Sequence, residues 1–276
     1  MTQENTNLNI NLSQSSNEAV HAPSLGGGRE RLTVLKVGGA IVEDPESLRQ
    51  LISDFAAIEG PKVLVHGGGR SATQLATRLG IETRMVDGRR ITDDNMLNIV
   101  TMVYGGQVNK RIVALLQAAG VNALGLTGAD MDIIRSHRRP LRNGIDYGWV
   151  GDVDRADGDR LASLLRDGIT PVIAPLTHDG QGNMLNTNAD TMAQTIACAL
   201  VPHFTVSLRF AFEKQGVMGN PDDPTTFIPH ITEELFTQLR ADGTISGGML
   251  PKLENALQAL RQGVAEVRIG QTVITR

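Results

Sequence analysis

Two short apolar runs, each closed by glycines and followed by a helical pattern, constrain this chain more than any other feature of its sequence. Residues 32–37 form the first run, interrupted only by Thr33 and Lys36 and closed by Gly38-Gly39; residues 63–65 form the second, closed by His66-Gly67-Gly68-Gly69. A helix is expected to start near Asp44-Pro45, because proline suits a first helical turn and Leu48, Leu51, Ile52 and Phe55 recur on one face. Residues 121–126 and 170–174 read as further buried strands, and one long helix is expected between residues 93 and 118. This alternation predicts an α/β fold, a three-layer αβα sandwich around an open, mainly parallel sheet.

Residues 131–153 break the rhythm. Arg138-Arg139-Pro140, Asn143-Gly144 and Tyr147-Gly148-Trp149 are turn-rich, which predicts a β-hairpin excursion over the sheet edge. After Asn188 the alternation resumes, with a helix through Leu200, a strand near 204–208, helices at about 232–240 and 249–262, and a strand at 265–269. Two lobes are expected, 31–203 and 204–276. Residues 1–30, rich in Asn, Ser, Gln and Gly, bury too little surface to offset their ordering entropy and read as a disordered tail.

With 276 residues, 41% of them apolar, the chain can fold around a full core without covalent staples. A net charge of -4 and nine aromatic residues leave little with which to grip a polyanion, so nucleic acid is excluded as a partner. The single cysteine, Cys198, sits in an apolar run and reads as a buried structural thiol, and no disulfide can form within the chain. No stretch approaches the roughly 20 apolar residues of a spanning helix, and residues 1–30 lack the core of a signal peptide. The expected place is the cytoplasm, with no membrane contact.

In open α/β sheets ligands bind beyond the carboxyl ends of the strands, so the residues closing them are the first candidates. Lys36 stands in an apolar run directly before glycines that let backbone N–H groups approach a phosphate; it either meets an anion or snorkels from the strand end. Gly67-Gly68-Gly69, between a strand and a helix, can hold a carboxylate or phosphate. His66 reads as structural rather than as a general base, because a carboxylate nucleophile is already ionised. Asn186-Thr187-Asn188-Ala189-Asp190 is either a plain helix cap or a cap whose Asp190 also fixes lysines. Gly247-Gly248-Met249-Leu250-Pro251-Lys252 opens a helix with a lysine that opposes the helix dipole unless an anion shares the site. Arg90, after the turn Asp87-Gly88-Arg89, either clamps a carboxylate or forms a surface pair. Neither a Walker A pattern nor a dinucleotide fingerprint occurs. Two distant lysines beside glycine turns, with a basic turn and a polar cap, suit phosphoryl transfer, whose spread negative charge is stabilised by fixed cations.

These segments, together with Val108-Asn109-Lys110 and in this order over residues 31–270, resemble the acetylglutamate kinases of the amino acid kinase family. The resemblance implies ATP-dependent phosphorylation of the side-chain carboxylate of N-acetyl-L-glutamate, or another N-acyl-glutamate, at the second step of arginine biosynthesis. It also implies an acyl-amino-acid site and dimerisation in the N-lobe, and ATP on the C-lobe. Lys36 and Lys252 would contact the transferring phosphoryl group and the nucleotide side, with Asp190 organising both. Gly68, Gly69, Arg90 and Asn186 would bind the substrate. Gly38, Gly39, Glu213, Lys214, Gly216 and Ser246 would line the nucleotide. Mg2+ would be held mainly by the ATP phosphates, with few protein ligands. The hairpin carrying Tyr147-Gly148-Trp149 would be the lid.

Two departures stand out. The family's Asp-Val-x-Gly nucleotide turn is replaced by Glu213-Lys214-Gln215-Gly216, after Leu208-Arg209-Phe210-Ala211. Residues 1–30 also lack the amphipathic helix of arginine-inhibited members, so a homodimer without arginine feedback is expected. The altered turn raises one competing function, a sensor that binds acylglutamate or nucleotide without turnover; a sister kinase with another acceptor is the other.

Overall fold

The computed structural model describes residues 28–86, 88–212 and 214–276. Residues 1–27 of the expected tail, Asp87 and Glu213 lie outside the described residues.

The first strand, β1 (Arg31–Val37), leads through a short helix, α1 (Gly39–Glu43), into α2 (Pro45–Ala56). Asp44 caps α2 by accepting a hydrogen bond from Ser47 N at 2.7 Å, a contact worth about 1 kcal/mol in general. As expected, α2 buries Leu48, Leu51, Ile52 and Phe55. Next come β2 (Lys62–His66), α3 (Gly69–Arg78) and a tight hairpin of β3 (Met85–Val86) and β4 (Arg89–Arg90). The long helix is present as α4 (Asp94–Val100) and α5 (Asn109–Ala118), but the eight residues Thr101–Val108 between them are π-helical. Its outer halves carry the periodicity that the sequence displays; the π segment contains Gly105-Gly106, which periodicity alone does not mark.

Strand β5 (Ala123–Leu126) starts two residues later than the apolar run. It is followed by β6 (Ile134–Arg138) and β7 (Val150–Ala156), which pair antiparallel as the expected hairpin. The hairpin reaches past residue 153, because β9 (Leu176–His178) and β10 (Met184–Thr187) close it into a four-stranded barrel. Between them lie α6 (Gly158–Arg166) and β8 (Thr170–Ile173). The remainder is α7 (Ala189–Leu200), β11 (Thr205–Phe210), β12 (His230–Ile231), α8 (Glu233–Ala241), α9 (Met249–Arg261), β13 (Glu266–Ile269) and β14 (Thr272–Ile274).

Eight strands form one sheet in the order β12-β14-β13-β11-β1-β2-β8-β5, parallel except for the β13–β14 pair. Alternation along β1 and β2 separates two cores. Leu35, Val37 and Leu64 join the helices α2, α3, α4 and α5 on one face. Leu32, Val34, Val63 and Val65 join α6, α7 and α9 on the other. This is the expected three-layer sandwich. Its central strands, β1 and β2, end beside the two glycine loops.

Candidate active site

Lys36 shares the alternation of Leu32 and Val34, so its side chain leaves β1 on the face where α7 packs. Asn188, as the N-cap of α7, accepts a hydrogen bond from Thr191 N at 3.0 Å, which leaves Asp190 in the first turn for other partners. Helix α9 packs beside α7 and brings Lys252 to the same point. Lys36 Nζ lies 2.7 Å from Asp190 Oδ1, and Lys252 Nζ lies 2.8 Å from Asp190 Oδ2. Burial opposes ionisation of Asp190, yet the two ammonium groups outweigh it and hold the carboxyl down at about 2. Two cations sharing one anion leave one net positive charge at the ends of β1 and α9. Lys252 also stands 5.4 Å from the centroid of the Phe210 ring, and Phe210 is the register partner of Lys36 on β11.

Because Val37 pairs with His66, the two glycine loops leave the sheet side by side. A Cβ on Gly39 would stand 3.5 Å from Gly69 N and 3.7 Å from Gly68 N, and one on Gly67 would stand 3.2 Å from Gly39 N. The backbones of both loops thus lie against each other, with Glu43 Oε1 at 3.7 Å from the same Gly39 Cβ position. Glu43 at the end of α1 accepts hydrogen bonds from Ser71 N and, at 2.9 Å, Ser71 Oγ, fastening α1 to the start of α3.

A cleft of about 600 Å³ opens over this cradle, and Gly68, Gly69, Arg90, Tyr104, Val150 and Asn186 are among its walls. The four expected substrate residues, Gly68, Gly69, Arg90 and Asn186, are therefore neighbours. Arg90 is 7% exposed, and its hydrogen-bond partners among the described residues are neutral: Nη2 donates to Gly69 O at 2.8 Å and to Thr73 Oγ1 at 2.9 Å, and Nη1 donates to Thr83 Oγ1 at 3.2 Å. A buried guanidinium whose acceptors among the described residues are neutral remains a strong attractor for an anion. Asn186 donates to Thr92 Oγ1 at 2.9 Å. The hairpin closes on the same segment: Thr92 N donates to Tyr147 O at 3.0 Å and Trp149 N to Thr92 O at 2.6 Å. Gly148, with φ +67°, lies so close that a Cβ would stand 2.1 Å from Thr92 O.

A second cavity, of about 500 Å³, lies at the entrance to α9 and brings together Phe212, Lys214, Gly216, Ser246 and Met249. Lys214 Nζ donates to Pro221 O. Gly216 is a glycine for a packing reason, since a Cβ there would meet Thr272 Oγ1 at 2.5 Å and Phe227 Cε2 at 2.6 Å. Gly38 and Gly39 stand apart from this cavity, in the cradle beside Lys36.

His66 is fully buried, and burial pushes its imidazole down to about 4, so it is neutral near pH 7. Cys198 is half-buried against the core, with its thiol pushed up to about 11 by burial. Sequence reasoning passed over Tyr104, whose ring fills the space a Gly68 Cβ would need (2.8 Å from Cδ1), and over Glu43. Tyr104 reads in sequence as one more apolar residue of a helix; only the π segment reveals its place. Among the described residues no group of three or more His, Cys, Asp or Glu side chains is placed to hold a metal ion, and no helix is long and apolar enough to cross a membrane.

The model of the amino acid kinase family matches residues 31–271. The chain is 62% identical over 241 residues to the acetylglutamate kinase of Bacteroides thetaiotaomicron, covering 87% of this chain and 93% of that protein. It is also 62% identical over 242 residues to that of Parabacteroides distasonis, covering 88% and 94%. Among solved structures, smu.665 from Streptococcus mutans superposes with a TM-score of 0.73 at 27% identity, over 88% of this chain and 98% of that one. With the lysine–aspartate centre, the paired glycine loops and the sheet order all in place, the chain belongs to the amino acid kinase family.

Proposed function

We infer that this chain transfers the γ-phosphoryl group of ATP to the side-chain carboxylate of N-acetyl-L-glutamate, the reaction that serves as the second step of arginine biosynthesis. The observation that carries the reading is the Lys36–Asp190–Lys252 centre between the amide cradle and the cavity at α9. The family match and the relatives named above support it.

The mechanism follows from the charges. The acceptor carboxylate is ionised at neutral pH and needs no base. Lys36 and Lys252 face the negative charge that spreads over the phosphoryl group in the transition state, and Asp190 holds both in place before the reaction begins, so no reorganisation is needed during it. The amides of Gly68 and Gly69 take the acceptor, while Arg90 and Asn186 take the α-carboxylate end; one of Arg90's neutral contacts gives way to that stronger acceptor. The hairpin bound to Thr92 shields the acyl phosphate from water. On this reading Lys214, Gly216 and Ser246 contact the nucleotide at the cavity beside α9, and Gly38 and Gly39 lie near its phosphates. Magnesium, held mainly by the nucleotide phosphates, would supply charge neutralisation there; Asp190, the carboxylate at the centre, is already engaged by two lysines.

On this reading residues 31–203 are the acceptor-binding lobe, residues 204–276 the nucleotide lobe, and the enzyme works in the cytoplasm as a homodimer. A coupled assay following ADP release with N-acetyl-L-glutamate, N-succinyl-L-glutamate and free L-glutamate tests the acceptor. Turnover with the acylated acceptors and none with free glutamate supports the reading; preference for free glutamate contradicts it.

A further inference from the structure

His66 and Asn109 lie outside the reaction just described, yet both are fully enclosed, at 0% and 1% exposure. Asn109 Nδ2 lies 3.1 Å from His66 Nε2 and 2.9 Å from Val172 O. An amide nitrogen has two hydrogens, and each has one acceptor here. The reverse amide orientation would set Asn109 Oδ1 against the Val172 carbonyl, two acceptors facing each other. Oδ1 instead occupies a space that exists because residue 125 is glycine; a Cβ there would stand 2.0 Å from it. His66 Nε2 is therefore an acceptor, and its single ring proton sits on Nδ1. That N–H donates to Gly67 O at 2.8 Å.

The consequence reaches the cradle through one peptide plane. Gly67 N donates to Val37 O at 2.9 Å, so both polar groups of Gly67 are fixed. The Gly67 carbonyl and the Gly68 N–H belong to the same planar trans peptide and point in opposite directions. Drawing the carbonyl toward the imidazole sends the Gly68 N–H the other way, on the loop whose Gly68 N lies 3.7 Å from the place a Gly39 Cβ would take. We propose that His66 and Asn109 are positioning residues that aim the Gly68 amide at the acceptor carboxylate without touching the substrate themselves. The inference rests on the kinase reading above and adds to it a role for the Val108-Asn109-Lys110 segment.

The test compares wild type with His66→Asn and His66→Gln, using N-acetyl-L-glutamate and MgATP. The Asn side chain places its amide nitrogen near the imidazole Nδ1 and replaces the donor; Gln places it near Nε2 and does not. His66→Gln is expected to raise KM for acetylglutamate by about tenfold or more, with KM for ATP changed by no more than about twofold and His66→Asn recovering most of the loss. An unchanged acetylglutamate KM in His66→Gln, or equal rises in both KM values, overturns the proposal. Where the variants do not fold, 15N NMR of the wild-type imidazoles decides: a proton on Nδ1 of His66 supports the proposal and a proton on Nε2 overturns it. That spectrum needs no turnover, so it separates failure of this proposal from failure of wild type to phosphorylate acetylglutamate, which would contradict the kinase reading.

Discussion

Lys252 Nζ lies 2.8 Å from Asp190 Oδ2, across 62 residues of sequence. One residue comes from α9 and the other from α7, and their contact sets the position of an ammonium group that would otherwise swing on a four-carbon stem. Asp190 does the same for Lys36 with its other oxygen. One carboxylate therefore sets the spacing of both cations.

Asp190→Asn should lower kcat by about 10²-fold, because both lysines lose the charge that fixes them. It should also change the pH dependence of stability. The folded carboxyl titrates at about 2, below its ordinary 3.8, so ionised Asp190 favours the folded state. That stabilisation is present above roughly pH 4, is lost as pH falls toward about 2, and amounts to about 2 kcal/mol. Urea midpoints measured from pH 7 to pH 2 should show the lead of wild type over Asp190→Asn shrinking across the acid range.

Lys36→Ala and Lys252→Ala should each cost at least about 10²-fold in kcat, the usual loss when one fixed transition-state donor is removed. Steady-state rates at saturating substrates check this. Near-normal turnover in either variant removes that lysine from the mechanism.

Arg90→Lys keeps the charge but loses the fork that bonds Gly69 O, Thr73 Oγ1 and Thr83 Oγ1 together. KM for acetylglutamate should rise by about 10-fold to 100-fold, equivalent to about 1.4–3 kcal/mol, with KM for ATP little changed. Initial-rate measurements in both substrates separate the two.

Gly216→Ala should destabilise the packing of the Gly216 turn against β14 and Phe227. Thr272 Oγ1, the atom a new Cβ would strike, is held by Val217 N at 2.8 Å and Ile228 O at 2.7 Å and has little room to yield. Overpacking of this kind costs about 1–3 kcal/mol. Thermal unfolding should report the loss, and KM for ATP should rise more than KM for acetylglutamate.

The fold was largely legible because its central strands carry their own signals: β-branched runs closed by glycine, a proline-led α2 and a capped α7. What was not legible shows why. The π segment at Thr101–Val108 carries Gly105-Gly106 inside an otherwise apolar run, but periodicity does not show the change of helix type that sets Tyr104 against Gly68. The barrel of β6, β7, β9 and β10 depends on pairing between strands separated by α6 and β8, and short strands such as Leu176–His178 are too brief for alternation to register. Within the site, Lys36 and Lys252 were each only a lysine beside glycines when read locally. The ion pairs with Asp190 arise from the sheet register and from the packing of α7 on α9, which no single segment encodes.

The most direct test of the central claim traps the product. Wild-type protein incubated with MgATP, N-acetyl-L-glutamate and hydroxylamine should form the acyl hydroxamate in step with ADP release, and Lys36→Ala and Lys252→Ala should reduce both by about 10²-fold or more. Binding of acetylglutamate and ATP without any hydroxamate, at saturating concentrations of both, would contradict the account and identify the chain as a sensor built on a kinase fold.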